Sequence, residues 1–542
     1  MSTTQNPPAA RPATVAFVGA GPGDPGLLTV RGAELIATAD TVILDEFTDP
    51  DRLTPLVRQG ARIVAATAGE HDVELPRAAR MRRVIREARA TAAQDGRGGL
   101  VVRLIDGCPA AFSLLGEELE ECRREGLQIE VVPGVPALTA VPTYAGISLT
   151  DPSSPAATIW CADHPPAGLS SGLADDVTVL LLGSPSRMAD LLEDLSAQGR
   201  DPGTPAALIH AGTTTAQHTR VSTLGEVGAL LRGEVRQPVM VLVGHTVAAR
   251  SAGGWFETKP LIGWRVLIPR TKDQADALLG RLAGYGAVGE VVPTISVEPP
   301  RSPGAMARAI TGLVTGRYEW IGFTSVNAVR AVRERFAELG LDARAFAGLR
   351  IAAVGGVTAQ ALRDWGLEPD LIPSGEQSAH GLLADWPPYD RDLDPINRVL
   401  LPRADIATDT LVAGLQGLGW EVEDVTAYRT VRAAPPPAPV REAIKRGSFD
   451  AVLFTSSSTV RNLIGIAGKP HPSTVIACIG PATAKTATEN GLSVAVVAPE
   501  ASAEALVDAL AEHGRQRAAA AAEAGQAVTR PSARHRRRQG TS

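Results

Sequence analysis

Only four cysteines occur in 542 residues: Cys108, Cys122, Cys161 and Cys478, with no CxxC pair among them. The nine histidines form no cluster. A disulfide framework and a zinc module are both excluded, no metal is expected, and a reducing compartment is the natural setting. No apolar run reaches the roughly 18 residues of a membrane span. The opening segment "MSTTQNPPAARPAT" lacks the apolar core of a signal peptide. The expectation is a cytoplasmic protein with no membrane partner. A net charge of −6 argues against nucleic acid as the main partner. What is present is ordinary for a globular chain: 44% hydrophobic and 21% charged residues, in a length that predicts two or three domains.

Residues 1–13 are rich in Pro, Ala and Thr and are expected to be disordered. From 14 to 247, β-branched runs such as "VAFVG", "TVILD", "LVVRLID", "VTVLLLG" and "PVMVLVG" alternate with helical patterns, which predicts an α/β domain. The stretch 248–262 interrupts this with glycines and a proline and reads as a linker. Alternation resumes over 263–513, and an Ala-rich, basic tail over 514–542 is expected to be disordered. Its "RHRRR" reads as solvated charge rather than a nucleic-acid contact.

The second half contains an internal repeat. "RVLIPRTKDQADALLGRLAGYG" (265–286) returns as "RVLLPRADIATDTLVAGLQGLG" (398–419), and "WIGFTSVNAVRAV" (320–332) as "AVLFTSSSTVRNL" (451–463). "IAAVGGVTAQALRDWGL" (351–367) returns as "VIACIGPATAKTATENGL" (475–492). Arg403 follows Arg270 by 133 residues, and Thr455 follows Thr324 by 131. Two similar α/β lobes following one another, with a cleft between them, are predicted. At each "FTS" turn an apolar strand meets a helix at a Thr-Ser pair: Thr324-Ser325 and Thr455-Ser456. Serine and threonine cap helices there, and the same N–H groups can hold an anion. "VGGVTA" and "IGPATA" place Thr358 and Thr483 at like junctions. A single such turn reads as a cap; four of them point to a site for a polyanion. Arg270 and Arg403 end matched strands and would either pair with carboxylates or be solvated. Tyr428 is one of five tyrosines and, on its own, reads as a buried structural residue.

The ordered set "KPLIGWRVLIPR", "FTSVNAV", "FTSSSTV", "AVGGVTAQALRDWG", "SAHGLLADW" and "AYRTV" resembles uroporphyrinogen-III synthase over the whole second half. The resemblance implies a dehydrating cyclase that takes hydroxymethylbilane, inverts its last pyrrole and closes the ring to uroporphyrinogen III. It implies no cofactor for that half. Tyr428 matches the position that assists departure of the hydroxyl. Ser325, Asn327, Thr358, Ser456 and Thr483 match substrate-facing positions, with Thr324, Thr455, Arg270 and Arg403 beside them.

In the first half, "VGAGPGDPGLL" has Asp24 where a dinucleotide fingerprint needs its last glycine, so that reading fails. The longer segment "GAGPGDPGLLTVRGAELIATADTVILD" resembles the tetrapyrrole methyltransferases, specifically uroporphyrinogen-III C-methyltransferase. So do "VVRLIDGCP", "VVPGVPALTAVPTYAGISLT", "GTTTAQ" and "QPVMVLVGHTV". This implies S-adenosylmethionine as cofactor and homodimerisation through this half. The matching cofactor positions are Pro22, Gly107, Cys108, Pro136, Ala137, Leu182 and Gly212, with Asp45 at the proton acceptor's place. Several positions depart from the pattern: "ATAGEH" has Thr67 and no lysine nearby, Cys108 replaces an aspartate, Leu114 or Leu115 replaces an arginine, and Leu182 replaces a methionine.

The fold class expected is therefore α/β: a methylase-like half of two subdomains, then a two-lobed synthase half with an internal repeat. Three functional readings stay open. One is a bifunctional synthase and methyltransferase towards sirohaem and cobalamin; another is a synthase fused to a degenerate methylase scaffold. The third is a two-lobed binding protein without catalysis.

Overall fold

The computed structural model describes residues 13–45, 48, 50–53, 56–58, 60–65, 77–95, 99–111, 115–164, 174–233, 238–250, 254–271, 275–407 and 409–533. Thr67 and Leu114 lie outside them, as do 1–12 and 534–542. The chain divides into two compact units. One comprises Met1–Trp264, Leu282–Val288 and Gly514–Val528; the other comprises Arg265–Arg281, Gly289–His513 and Thr529–Ser542. Among the described residues, no helix is long and apolar enough to cross a membrane.

The first unit holds two five-stranded sheets. Strands β1 (Thr14–Gly19), β2 (Thr41–Leu44), β3 (Arg62–Ala65), β4 (Leu100–Ile105) and β5 (Gln128–Val132) stand in the order β3-β2-β4-β1-β5, all parallel. A parallel sheet covered on both faces needs unbroken apolar strands. β1 supplies one, with Val15, Ala16, Phe17 and Val18 fully buried. Strands β6 (Ala156–Cys161), β7 (Val177–Leu182), β8 (Pro205–His210), β9 (His218–Thr223) and β10 (Val239–Val243) form the second sheet, β6-β7-β10-β8-β9. Here β10 runs antiparallel to both its neighbours.

The second unit holds the repeat. Its strands are β11 (Arg265–Ile268), β12 (Val288–Val291), β13 (Ile295–Glu298), β14 (Trp320–Phe323), β15 (Arg350–Ala353), β16 (Arg398–Ala404), β17 (Glu421–Arg432), β18 (Ala451–Phe454), β19 (Val475–Cys478) and β20 (Val494–Val497). They form two sheets, β12-β11-β18-β19-β20 and β13-β17-β16-β14-β15. Two lobes are present, but they do not follow one another along the chain as expected. Each is a composite. The β11 lobe joins the opening strands of the first repeat to the closing strands of the second, and the β16 lobe does the converse. The chain passes between them along β13 and the end of β17, which pair antiparallel from Ile295↔Arg432 to Glu298↔Arg429. β17 runs unbroken for 12 residues. Its counterpart is split into β12 and β13 around Pro293, which has no N–H to give to a ladder.

Two further expectations are corrected. The supposed linker 248–262 packs onto the first unit: Arg250 Nε donates to the Ala145 carbonyl at 2.7 Å, and Trp255 Nε1 to that of Thr143 at 2.9 Å. Trp255 and Phe256 also meet the Tyr144 ring, with centroids 5.1 and 4.7 Å away. The tail is not disordered from 514. The helix Ala503–Glu523 runs through its alanines, the best helix formers. Beyond it, Ser532 N donates at 2.9 Å to the wholly buried carboxylate of Asp450.

Candidate functional sites

In the first unit the ends of β1, β4 and β5 approach so closely that only glycine fits. A Cβ on Gly19 or Gly134 would collide with the facing backbone, including the Gly107 carbonyl. Gly21 and Gly107 bridge the loops, exchanging N–H···O bonds of 3.1 and 2.9 Å. Gly107, at φ +73°, presents its open side to the N–H of Ala137. Ala137 opens the helix Ala137–Ala145, whose N-cap Pro136 provides no side-chain cap. The turn carrying Pro22 is laced to the loop carrying Gly212: Asp24 N donates to Thr213 Oγ1 at 3.3 Å, and Gly23 abuts Thr214. Tyr144 Oη donates to Asp24 at 2.9 Å, and burial together with that carboxylate raises the phenol pKa. Gly212 presses on Val141, which shares a core cluster with Leu182 and Ala137. Pro22, Gly107, Pro136, Ala137 and Gly212 are thus brought together, with half-buried Cys108 following Gly107 and Leu182 beneath.

The loop after β8 is strained: Ala211 and Thr213 have φ of 47° and 65°, where side chains are disfavoured. Gln217 holds it, accepting from Thr213 N at 2.7 Å and donating to Glu257 Oε1 at 2.9 Å. Glu257 is itself paired with Arg250 at 3.1 Å. The sequence offered no signal for this brace, because Arg250 and Glu257 fall in the presumed linker.

Asp45, expected at the proton acceptor's place, is held by two partners. One carboxylate oxygen pairs at 3.0 Å with Arg103, whose side chain is 5% exposed, and the other accepts from Asp106 N at 3.3 Å. A carboxylate held by a buried guanidinium and a backbone N–H braces the end of its strand.

In the β16 lobe, Ser325 caps the helix Val326–Glu338, its Oγ accepting from Ala328 N at 3.1 Å. The same Oγ lies 2.9 Å from the Tyr428 hydroxyl. Tyr428 is 7% exposed, its ring packed in a core with Phe323, Val332 and Ala427. Because Ser325 Oγ already accepts a bond, its own proton can go to Tyr428 Oη, leaving the phenol proton to be donated elsewhere. Thr324 and Asn327 flank this pair, and Thr358 is buried in the next helix, Gly356–Arg363. Arg403, by contrast, is not free for a ligand. Its guanidinium forks onto Asp424, Nε at 2.8 Å and the second nitrogen on the other oxygen.

The β11 lobe places Thr455 and Ser456 at the end of β18 in the same way. Ser456 caps the helix Ser457–Ala467 through a reciprocal bond with Thr459, and its Oγ lies 2.9 Å from Ser458 Oγ. Thr483 is buried in the helix Pro481–Glu489, which has no side-chain cap. Arg270 follows β11 beside β18, half-buried. No hydrogen-bonding or acidic partner approaches its guanidinium among the described residues, and burial lowers its pKa.

Comparison with known proteins agrees with this division. Residues 14–228 match the Tetrapyrrole (Corrin/Porphyrin) Methylases, and residues 276–508 match Uroporphyrinogen-III synthase HemD. The chain is 30% identical over 509 residues to the Porphyrin biosynthesis protein HemD of Ruminiclostridium josui, covering 92% of this chain and 98% of that one. It is 34% identical over 253 residues to Siroheme synthase 2 of Aeromonas salmonicida, spanning 45% of this chain and only half of that relative's length. Among solved structures, uroporphyrin III C-methyl transferase from Thermus thermophilus is 28% identical, covers 44% of this chain and 94% of its own, and has a TM-score of 0.34. With a similarity that runs through both units and nearly the full length of the Ruminiclostridium josui protein, the chain belongs to the porphyrin biosynthesis family in which a tetrapyrrole methylase domain is fused to a uroporphyrinogen-III synthase domain.

Proposed function

We propose that the second unit converts hydroxymethylbilane to uroporphyrinogen III. The observation that carries this is the Tyr428–Ser325 hydroxyl pair at the carboxyl edge of the β16 lobe. Loss of the substrate's terminal hydroxyl leaves a cationic azafulvene. Tyr428 donates its phenol proton to the departing oxygen, and Ser325 supports it by donating to Tyr428 Oη. The remaining task is orientation, so that the last pyrrole rather than water attacks the cation. Helix N-termini after β14, β15, β18 and β19 suit the substrate's carboxylates.

In the first unit, Pro22, Gly107, Pro136, Ala137 and Gly212 lie on loops that approach one another and would hold S-adenosylmethionine. Bound, that cofactor would supply an electrophilic methyl group. The Asp45–Arg103 pair favours the reading in which this half binds but methylates poorly, because the one carboxylate at the acceptor's place is committed.

The test is incubation of the full chain with freshly generated hydroxymethylbilane, with and without S-adenosylmethionine, followed by isomer analysis and mass spectrometry. Type III product without methyl mass is expected. Type I alone, the spontaneous isomer, would sink the synthase reading. Gain of two methyl groups would restore the bifunctional one.

A further inference from the structure

The repeat allows the two lobes to be compared atom by atom. Val288 N donates to the Trp264 carbonyl at 2.8 Å, as Glu421 N donates to that of Asn397 at 2.7 Å. Leu267 pairs with Val452 in the β11 lobe, and Leu400 with Ile321 in the β16 lobe. The offset of 133 residues that relates Arg270 to Arg403 therefore holds in space between β11 and β12 as between β16 and β17, and the strand on the other side keeps its register with an offset of 131. The same offset places Val291 where the other lobe has Asp424. The strands leading to the two arginines thus share one frame, but β11 ends at Ile268 and Arg270 N turns back onto the Ile268 carbonyl at 2.9 Å, whereas Arg403 continues along β16. Among the described residues only Arg403 has an acid.

We propose that Arg270, and not Arg403, is the carboxylate-binding arginine of the pair, anchoring one acidic side chain of the linear tetrapyrrole on the β11 lobe. This rests on the synthase reading and divides its labour. Arg403, 5% exposed and forked on Asp424, is a structural strut. Arg270 follows the end of β11, the strand beside the one that leads to Ser456, with the apolar Val291 at the repeat position of Asp424. Partial burial of a guanidinium without a counter-ion is unfavourable, and the lowered pKa of Arg270 has burial as its cause. An incoming carboxylate supplies the missing partner through paired N–H···O bonds. At the repeat position of Tyr428 the first copy has Ile295, which β13 carries into the sheet of the β16 lobe, so the repeat gives the β11 lobe no counterpart of the tyrosine. One lobe grips and the other carries the hydroxyl pair.

The experiment compares wild type, Arg270→Gln and Val291→Asp in the full chain. Val291→Asp leaves the arginine in place and offers it an acid at the position that Asp424 holds in the other lobe, so it separates anchoring from folding. In both variants KM for hydroxymethylbilane should rise about tenfold with kcat within about threefold, the worth of one charged hydrogen-bonded contact. Uroporphyrin III binding, followed by quenching of intrinsic fluorescence, should weaken in parallel. Unchanged KM and unchanged porphyrin affinity in Val291→Asp and Arg270→Gln would overturn the proposal. If the wild type forms no type III product, the synthase reading fails, and the porphyrin-binding comparison still decides whether Arg270 anchors a tetrapyrrole carboxylate.

Discussion

At the end of β16 an arginine leans on an acid from the next strand, and a tyrosine two residues past the arginine's register partner touches the serine that caps the neighbouring helix. Past the end of β11 the repeat carries an arginine that has no acid among the described residues, and the capping serine bonds a serine of its own helix. The repeat has preserved strand register and helix caps in both lobes while the side chains at the strand ends have diverged. Backbone hydrogen bonds tolerate almost any residue, so a frame can persist long after its two copies have taken different roles.

Five substitutions sharpen that contrast. Tyr428→Phe should lower kcat for type III formation by roughly 100-fold, the usual scale for losing a positioned proton donor. Activity equal to wild type would mean that the hydroxyl pair is only a core contact. Next, Asp424→Val should destabilise the second unit by about 2 kcal/mol, because it strands the Arg403 charge in a buried site. Urea unfolding would measure this, and an unshifted midpoint would deny that Arg403 is a strut.

Ser325→Ala and Ser456→Ala remove equivalent caps and should each cost about 1 kcal/mol. Only Ser325→Ala should also slow turnover, by several-fold; equal kinetic effects would erase the distinction between lobes. The smallest effect concerns Cys478, whose repeat counterpart is Ala353. Burial pushes this thiol up to about 11 from an ordinary 9.0. The unfolded chain then loses its proton first, so stability is untouched below pH 9 and declines as pH rises from 9 towards 11. Cys478→Ala should remove that component of the alkaline decline, read from unfolding midpoints at pH 8 and pH 10.

The alternation of strands and helices, the repeat and the serine caps were legible because each is a local pattern. The exchange of strands between lobes was not, since a repeat fixes similarity and says nothing about which copy pairs with which. The Arg403–Asp424 fork joins residues on adjacent strands 21 positions apart, a distance at which periodicity is silent. Arg103 likewise reads as a charge on an otherwise apolar strand, and nothing local identifies Asp45 as its partner. The tail misled through composition: a run of alanines looks low in complexity, yet it is intrinsically helical once one face finds something to cover. The segment around Trp255 misled through its glycines, while its aromatic pair was the better guide.

Asp450 gives the second unit a dependence on the order of synthesis. Its buried carboxylate is satisfied by Arg265 N, where β11 begins, and by Ser532 N, beyond the long helix. On a ribosome the first donor emerges early and the second only after some 80 further residues, since Ser532 lies 82 positions past Asp450. Until then one carboxylate oxygen must keep its water, and the surrounding core cannot close over it without loss. The β11 lobe therefore completes its packing late, and the short stretch around Ser532 acts as the closing stitch of a domain whose first strand was made 267 residues before it.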